Sequence, residues 1–327
     1  FVRQGESKMS ALGRMKSPIA RRAIAVSACC VFVIAAACAN SDASEDSGST
    51  TAAPEKASSP SRVAAASETS ADWEKVIAPA DCMCSDASAY QFWIHRGSSD
   101  RVVFYLEGGG ACFSSGTCGP EDPTYKRSLA NDSDNQPGEK NSDLTGILDL
   151  ANGTNPFRDD SIVYVPYCTG DLHQGNTVHD YGDGVVIHHN GNFNGNTALA
   201  AAAAVFPAAA EVVVAGGSAG SAATGRYGGL AHDVFPDAKI TVIADGSGAY
   251  PGTEGITTAI AAFWGSESAI PPWPESADLP TTAWSLPGSF VRAGKHDSTM
   301  RIASINTAYD ETQARFVKVA GFPDADL

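Results

Sequence analysis

Hydrophobic positions in this chain gather into short unbroken runs at residues 91–94, 102–106, 162–166, 184–188, 211–215, 240–244 and 301–306. Most of these runs are rich in Val and Ile and lack polar alternation, which is the pattern of strands covered on both faces of a parallel sheet. Helical patterns lie between several of them. Residues 197–206 are Ala-rich and stop at Pro207; residues 219–232 follow a glycine turn and stop before Pro236. Strands alternating with helices predict an α/β sandwich with ligands at the carboxyl ends of the strands. Residues 250–295 break the alternation. They are rich in Pro, Ser and Gly, carry Phe263, Trp264, Trp273, Trp284 and Phe290, and read as an irregular insertion that is either a lid or a small core of its own.

The N-terminal stretch has a different pattern. From Met15, a basic segment (Lys16, Arg21, Arg22) precedes apolar residues 23–37 and then Cys38. The run is shorter than the ~20 residues of a membrane span and reads as an export signal. Cys38, preceded by three alanines, resembles a bacterial lipobox, so lipid anchoring is expected ahead of simple secretion. Residues 39–71 are Ser, Ala, Glu, Thr and Pro in no periodic order and are predicted to be a disordered linker. Residues 72–327 form the folded domain.

Charge narrows the partners. The formal net charge is −15, and six of the 22 cations against one of the 37 acids fall in residues 1–38, leaving −20 on the remainder. Such a surface repels nucleic acid and also a polyanionic substrate, the latter subject to salt screening. Five of the eight cysteines, Cys82, Cys84, Cys112, Cys118 and Cys168, lie in the domain. Export favours disulfides: Cys112 and Cys118 can close a small loop, and Cys168 can pair with Cys82 or Cys84. The single residue between Cys82 and Cys84 is not a zinc spacing.

The chemistry centres on Gly216-Gly217-Ser218-Ala219-Gly220, a G-x-S-x-G sequence directly after the run 211–215 and directly before a helical pattern. Strand, sharp turn and helix are the context of a nucleophile elbow, where side chains on Gly216 or Gly220 would clash. Ser218 is the candidate nucleophile, and the Ala219 amide is free to donate. A second glycine cluster, Glu107-Gly108-Gly109-Gly110-Ala111-Cys112, follows the run 102–106. Gly109 and Gly110 are therefore candidate oxyanion donors with Ala219. Two acids follow later strands. Asp310, after the second strand past the nucleophile, is the expected triad acid, and Asp245, after the first, is expected to line the site with Glu107. The histidine is missing from its usual place: only His232 and His296 follow Ser218, both precede Asp310, and none occurs after Asp310. The catalytic histidine is thus expected beyond Leu327, on the view that the sequence is truncated at its C-terminus, with His296 as a displaced alternative.

Asp81 to Asp86, Tyr105 to Phe113, Tyr164 to Asp171, His188 to Gly191, Gly217 to Gly220 and Asp245 to Gly248 together resemble the pectin acetylesterase/Notum family, in its bacterial branch. The resemblance runs from about residue 76 onward. It implies an α/β-hydrolase fold with a mostly parallel central sheet, a serine carboxylesterase without a cofactor, Ser218 as nucleophile, Gly109, Gly110 and Ala219 as oxyanion donors, Asp310 as acid, and a bridge between Cys112 and Cys118. Plant relatives deacetylate pectin and the animal relative removes a palmitoleoyl group from a protein, so acyl length stays open. His188 and His189 with Asp171 and His173 suggest a metal at first sight, yet the two strand histidines point opposite ways, and no metal is expected. The function expected is removal of O-acyl groups, chiefly acetyl, from carbohydrate esters outside the cytoplasm. The alternatives are a non-catalytic glycan- or lipid-binding module and an esterase of longer chains.

Overall fold

A computed structural model of the chain describes residues 73–130, 137, 145–248 and 250–320. The export signal, Cys38, the linker and Leu327 lie outside the described residues. In chain order the elements are β1 (Glu74–Ile77), β2 (Gln91–His95), β3 (Arg101–Leu106), α1 (Ser115–Cys118), β4 (Ser161–Val165), β5 (Thr177–Asp180), β6 (Val186–His189), α2 (Gly191–Val205), β7 (Glu211–Gly217), α3 (Thr224–Val234), β8 (Lys239–Asp245), α4 (Glu254–Trp264), α5 (Leu286–His296), β9 (Arg301–Ile305) and α6 (Glu311–Val319).

Seven strands form one sheet in the order β1-β2-β4-β3-β7-β8-β9. β1 and β2 are antiparallel additions, while β4, β3, β7, β8 and β9 run parallel. The unbroken apolar runs have a direct cause. Along β3 and β7, Val102, Phe104, Leu106, Val212 and Val214 face one core, and Val103, Val213 and Ala215 face another on the opposite side. The central positions are covered on both faces, so the central positions are apolar. At roughly 25 cal/mol per Å2 of apolar surface removed from water, these two layers supply most of the drive to fold.

The structure corrects three sequence expectations. The run 184–188 is not part of the main sheet: β6 pairs only with β5, in a separate two-stranded antiparallel hairpin. The helix read over 219–232 begins as a 3-10 turn at Ser221–Ala223 and becomes α-helical at Thr224, because the elbow holds its first residues. The segment 250–295 is not irregular throughout. It folds as α4, capped by the Thr253 side chain and ended by Gly265 at φ +64°, a chain of 3-10 turns, and α5, capped by Ser285 with Pro287 in its first turn. Trp273 and Trp284 pack with Ala293 in a local core, while Trp264 joins the cluster that contains Ala219.

Candidate active site

Four parallel strands, β3, β7, β8 and β9, deliver their carboxyl ends to one cleft, where ligands of open α/β sheets bind. β7 ends in the elbow. Ser218 sits at φ +49°, a left-handed conformation that costs a non-glycine residue about 1–2 kcal/mol. The surroundings impose it: Ser218 N donates to Asp245 O at 2.7 Å and Gly220 N to Gly217 O at 2.9 Å. The result is an exposed hydroxyl on an otherwise buried turn. The glycines are required by approach. A Cβ on Gly216 would lie 2.7 Å from the Gly220 carbonyl carbon, and one on Gly220 would sit on the Leu106 carbonyl oxygen. Gly220→Ala is therefore expected to destabilise the fold by about 1–3 kcal/mol, the cost of overpacking a tight contact. A denaturant midpoint equal to wild type would refute this reading of the contact between β3 and the elbow.

The glycine loop after β3 lies against the elbow. Gly109 and Gly110 take φ +144° and +89°, and a Cβ on Gly108 would lie 2.5 Å from Gly217 O. The amides of Gly109, Gly110 and Ala219 have no acceptor among the described residues. Three free N–H groups beside one exposed hydroxyl form a ready receptor for a developing oxyanion.

Glu107 is placed differently from expectation. It does not line the cleft; its carboxylate turns back, accepting from Tyr167 N at 2.6 Å and pairing with Lys126 Nζ at 3.2 Å. It braces the glycine loop. His173 does the same from below, its Nε2 2.8 Å from Glu107 O, and burial lowers its pKa to about 4. Asp171, wholly buried, accepts from Thr169 Oγ1, His173 N and Gly191 N at 2.6, 3.1 and 2.8 Å. Burial still raises its pKa to about 6. The sequence weighed Asp171 and His173 only beside His188 and His189, because nothing local in it links residues 167–173 to residue 107.

Asp245 and Asp310 both line an open recess of about 490 Å3 with Ser218, Gly109 and Gln313. Asp310 caps α6: its Oδ1 accepts from Thr312 N and Gln313 N, and its Oδ2 from Gln313 Nε2 at 2.9 Å. The Gln313 side chain and then its backbone N–H hold the Asp310 carboxyl below the usual range. A carboxylate oxygen has two lone pairs, so Oδ2 can still accept from a further donor.

A second recess opens on the other side of Ser218. It is narrow, about 40 Å3, and apolar, walled by Phe113, Tyr250, Ile256, Trp264, Leu286 and Phe316 with Gly110 and Ala219. Much of this wall comes from the insertion.

No histidine is among the residues lining either recess. His296 belongs to a separate cluster, its Nδ1 2.7 Å from Glu275 Oε1 and its Nε2 2.6 Å from Asp233 Oδ1, with its ring stacked on Trp273. Both ring nitrogens are occupied, which argues against it as a displaced triad member. His232 faces Asp297 at 3.7 Å. His189 is buried with Nδ1 on Thr169 O and Nε2 on the Tyr181 hydroxyl, each at 2.9 Å, a structural role. Cys84 is bridged to Cys168 and Cys112 to Cys118. Cys82 is free, buried, and 3.3 Å from Thr197 Oγ1.

Residues 66–263 match the pectinacetylesterase family. The chain is 34% identical over 95 residues to the palmitoleoyl-protein carboxylesterase notum2 of Xenopus laevis, a match covering 28% of this chain and 19% of that protein. It is 33% identical over 106 residues to the inactive palmitoleoyl-protein carboxylesterase notum1b of Danio rerio, covering 32% of this chain and 73% of that protein. The fold is similar to that of the Wnt deacylase Notum from Drosophila, with a TM-score of 0.57 and 17% identity over 78% of this chain and 76% of that one. The matched stretch thus spans about a fifth of notum2.

Proposed function

Because the chain belongs to the pectinacetylesterase family, we propose that it is a serine carboxylesterase acting on O-acyl esters outside the cytoplasm. The observation that carries this reading is Ser218, exposed at positive φ and flanked by the free amides of Gly109, Gly110 and Ala219. Ser218 Oγ attacks the ester carbonyl, the three amides hold the oxyanion, and an acyl-enzyme forms as the alcohol leaves. Water then releases the acid. Asp310 orients the histidine that takes and returns the proton. None of the seven histidines lines either recess. Two disulfides support export, and anchoring through Cys38 remains part of the proposal.

The two recesses that meet at Ser218 suit different halves of an ester. The apolar one holds about three times the ~10–15 Å3 needed for a single water molecule, which suits a short acyl group. The open one is polar and, through Asp245 and Asp310, acidic, which suits a neutral hydroxyl-rich alcohol such as carbohydrate rather than a polyanion. Each further buried methylene would gain about 0.8 kcal/mol, but a long chain is expected to crowd a wall that includes Trp264 and Phe316. The expected kcat/KM for p-nitrophenyl acetate exceeds that for the octanoate by about 5- to 150-fold, since overpacking costs about 1–3 kcal/mol. A faster octanoate would overturn the short-chain assignment and favour a longer-chain esterase. The absence of histidine from both recesses favours a second reading, a non-catalytic glycan- or lipid-binding module. Equal background hydrolysis by the wild-type full-length protein and Ser218→Ala would exclude the esterase.

A further inference from the structure

A third cavity, beneath the insertion, does not include Ser218 in its wall. Arg226, on α3, is 2% exposed and lines a cavity of about 10 Å3 with Gln174, Thr257, Ser266, Thr281 and Ser285. Its Nη1 has no hydrogen-bond partner, and its Nη2 makes one long contact, 3.4 Å, to Ser266 O. No carboxylate among the described residues pairs with it. Glu267, next to Ser266 in the chain, is exposed and already accepts from Thr281 Oγ1 at 2.7 Å.

A buried guanidinium without a counter-charge is strongly unfavourable. Burial lowers the Arg226 pKa only to about 10, so it stays charged at neutral pH. The rest of the wall adds donors. Gln174 Nε2 gives one hydrogen to Ala222 O at 3.5 Å and keeps the other; Ser285 Oγ accepts from Gly288 N at 3.1 Å, leaving its own hydrogen unused. The space fits one small particle, a water or a monatomic ion. A water would fill it but leave the charge uncompensated.

We propose that this cavity is a halide site, in which a single chloride ion is held by the Arg226 guanidinium with Gln174 and Ser285 as further donors. The ion ties α3 to the residues after α4 and to the start of α5. Ile260 and Leu286 line both this cavity and the apolar recess at Ser218, so an ion here fixes the insertion from behind. The site does not depend on the esterase reading.

The test uses the full-length protein freed of chloride in sodium gluconate. Replacing gluconate by chloride or bromide at constant ionic strength (200 mM) is expected to raise the melting temperature by about 4 °C, and Arg226→Gln is expected to lose that shift. Crystals grown in sodium bromide are expected to show an anomalous peak within about 3.5 Å of Arg226 Nη1, a measurement that stands even if the variant fails to fold. A cavity holding only water, or equal melting temperatures in gluconate and bromide, would overturn the assignment.

Discussion

Ser218→Ala is expected to lower kcat for ester hydrolysis by a factor on the order of 10^4 to 10^6, as loss of a serine nucleophile does elsewhere, while leaving the fold intact. The residue is exposed, so truncating its side chain leaves no buried cavity. The backbone strain at φ +49° stays in the alanine variant and is relieved in Ser218→Gly. The glycine variant is therefore expected to be as inactive as the alanine one yet more stable by about 1 kcal/mol. That opposite movement of activity and stability distinguishes a strained nucleophile from an ordinary surface serine. Equal stability of the glycine and alanine variants would remove the argument that β7 and α3 hold Ser218 in its conformation for a purpose.

Acid is expected to weaken the fold between about pH 6.5 and pH 4, and two buried histidines are the reason. Burial lowers the pKa of His173 and of His189 to about 4, against about 6.5 in an unfolded chain. Across that window the unfolded state binds more protons than the native one, so stability is present above pH 6.5 and is lost as pH falls. Each histidine accounts for roughly 3 kcal/mol at 1.36 kcal/mol per pKa unit. Asp171 opposes them. Its pKa is raised to about 6, so the native state keeps a proton that the unfolded state has released, and this contribution grows as pH falls from 6 towards 4. Two histidines against one aspartate leave a net loss on the order of 3 kcal/mol. Urea unfolding at pH 7 and pH 4.5 measures it, and His189→Gln is expected to flatten the difference. A midpoint independent of pH over this range would contradict the burial of these two imidazoles in their uncharged form.

What could be read from the sequence is what sits close together in it. Ser218 with Gly216 and Gly220, and Gly109 with Gly110, are each a few residues long, and their chemistry follows from local backbone geometry. The core strands were equally plain because β3 and β7 are covered on both faces. Short exposed elements left no such mark: β1 reads Glu-Lys-Val-Ile, and β5 is four residues of a hairpin. Helix α5 was hidden by Pro287, Gly288 and Gly294, which signal breaks in isolation; Pro287 is tolerated because it lies in the first turn, where its missing N–H has no intrahelical partner. The choice between Cys82 and Cys84 for Cys168 depends on tertiary placement, as does the direction of the Glu107 carboxylate. The wall of the apolar recess draws on Phe113, Tyr250, Trp264, Leu286 and Phe316, five separate segments, and no spacing rule connects them.

The central claim, that Ser218 is an acylated nucleophile, is tested most directly by mass spectrometry of the full-length protein after reaction with a fluorophosphonate ester. One adduct per chain is expected, located on the peptide that contains Ser218 and absent from Ser218→Ala. An unmodified protein, or an adduct on any other residue, would contradict it.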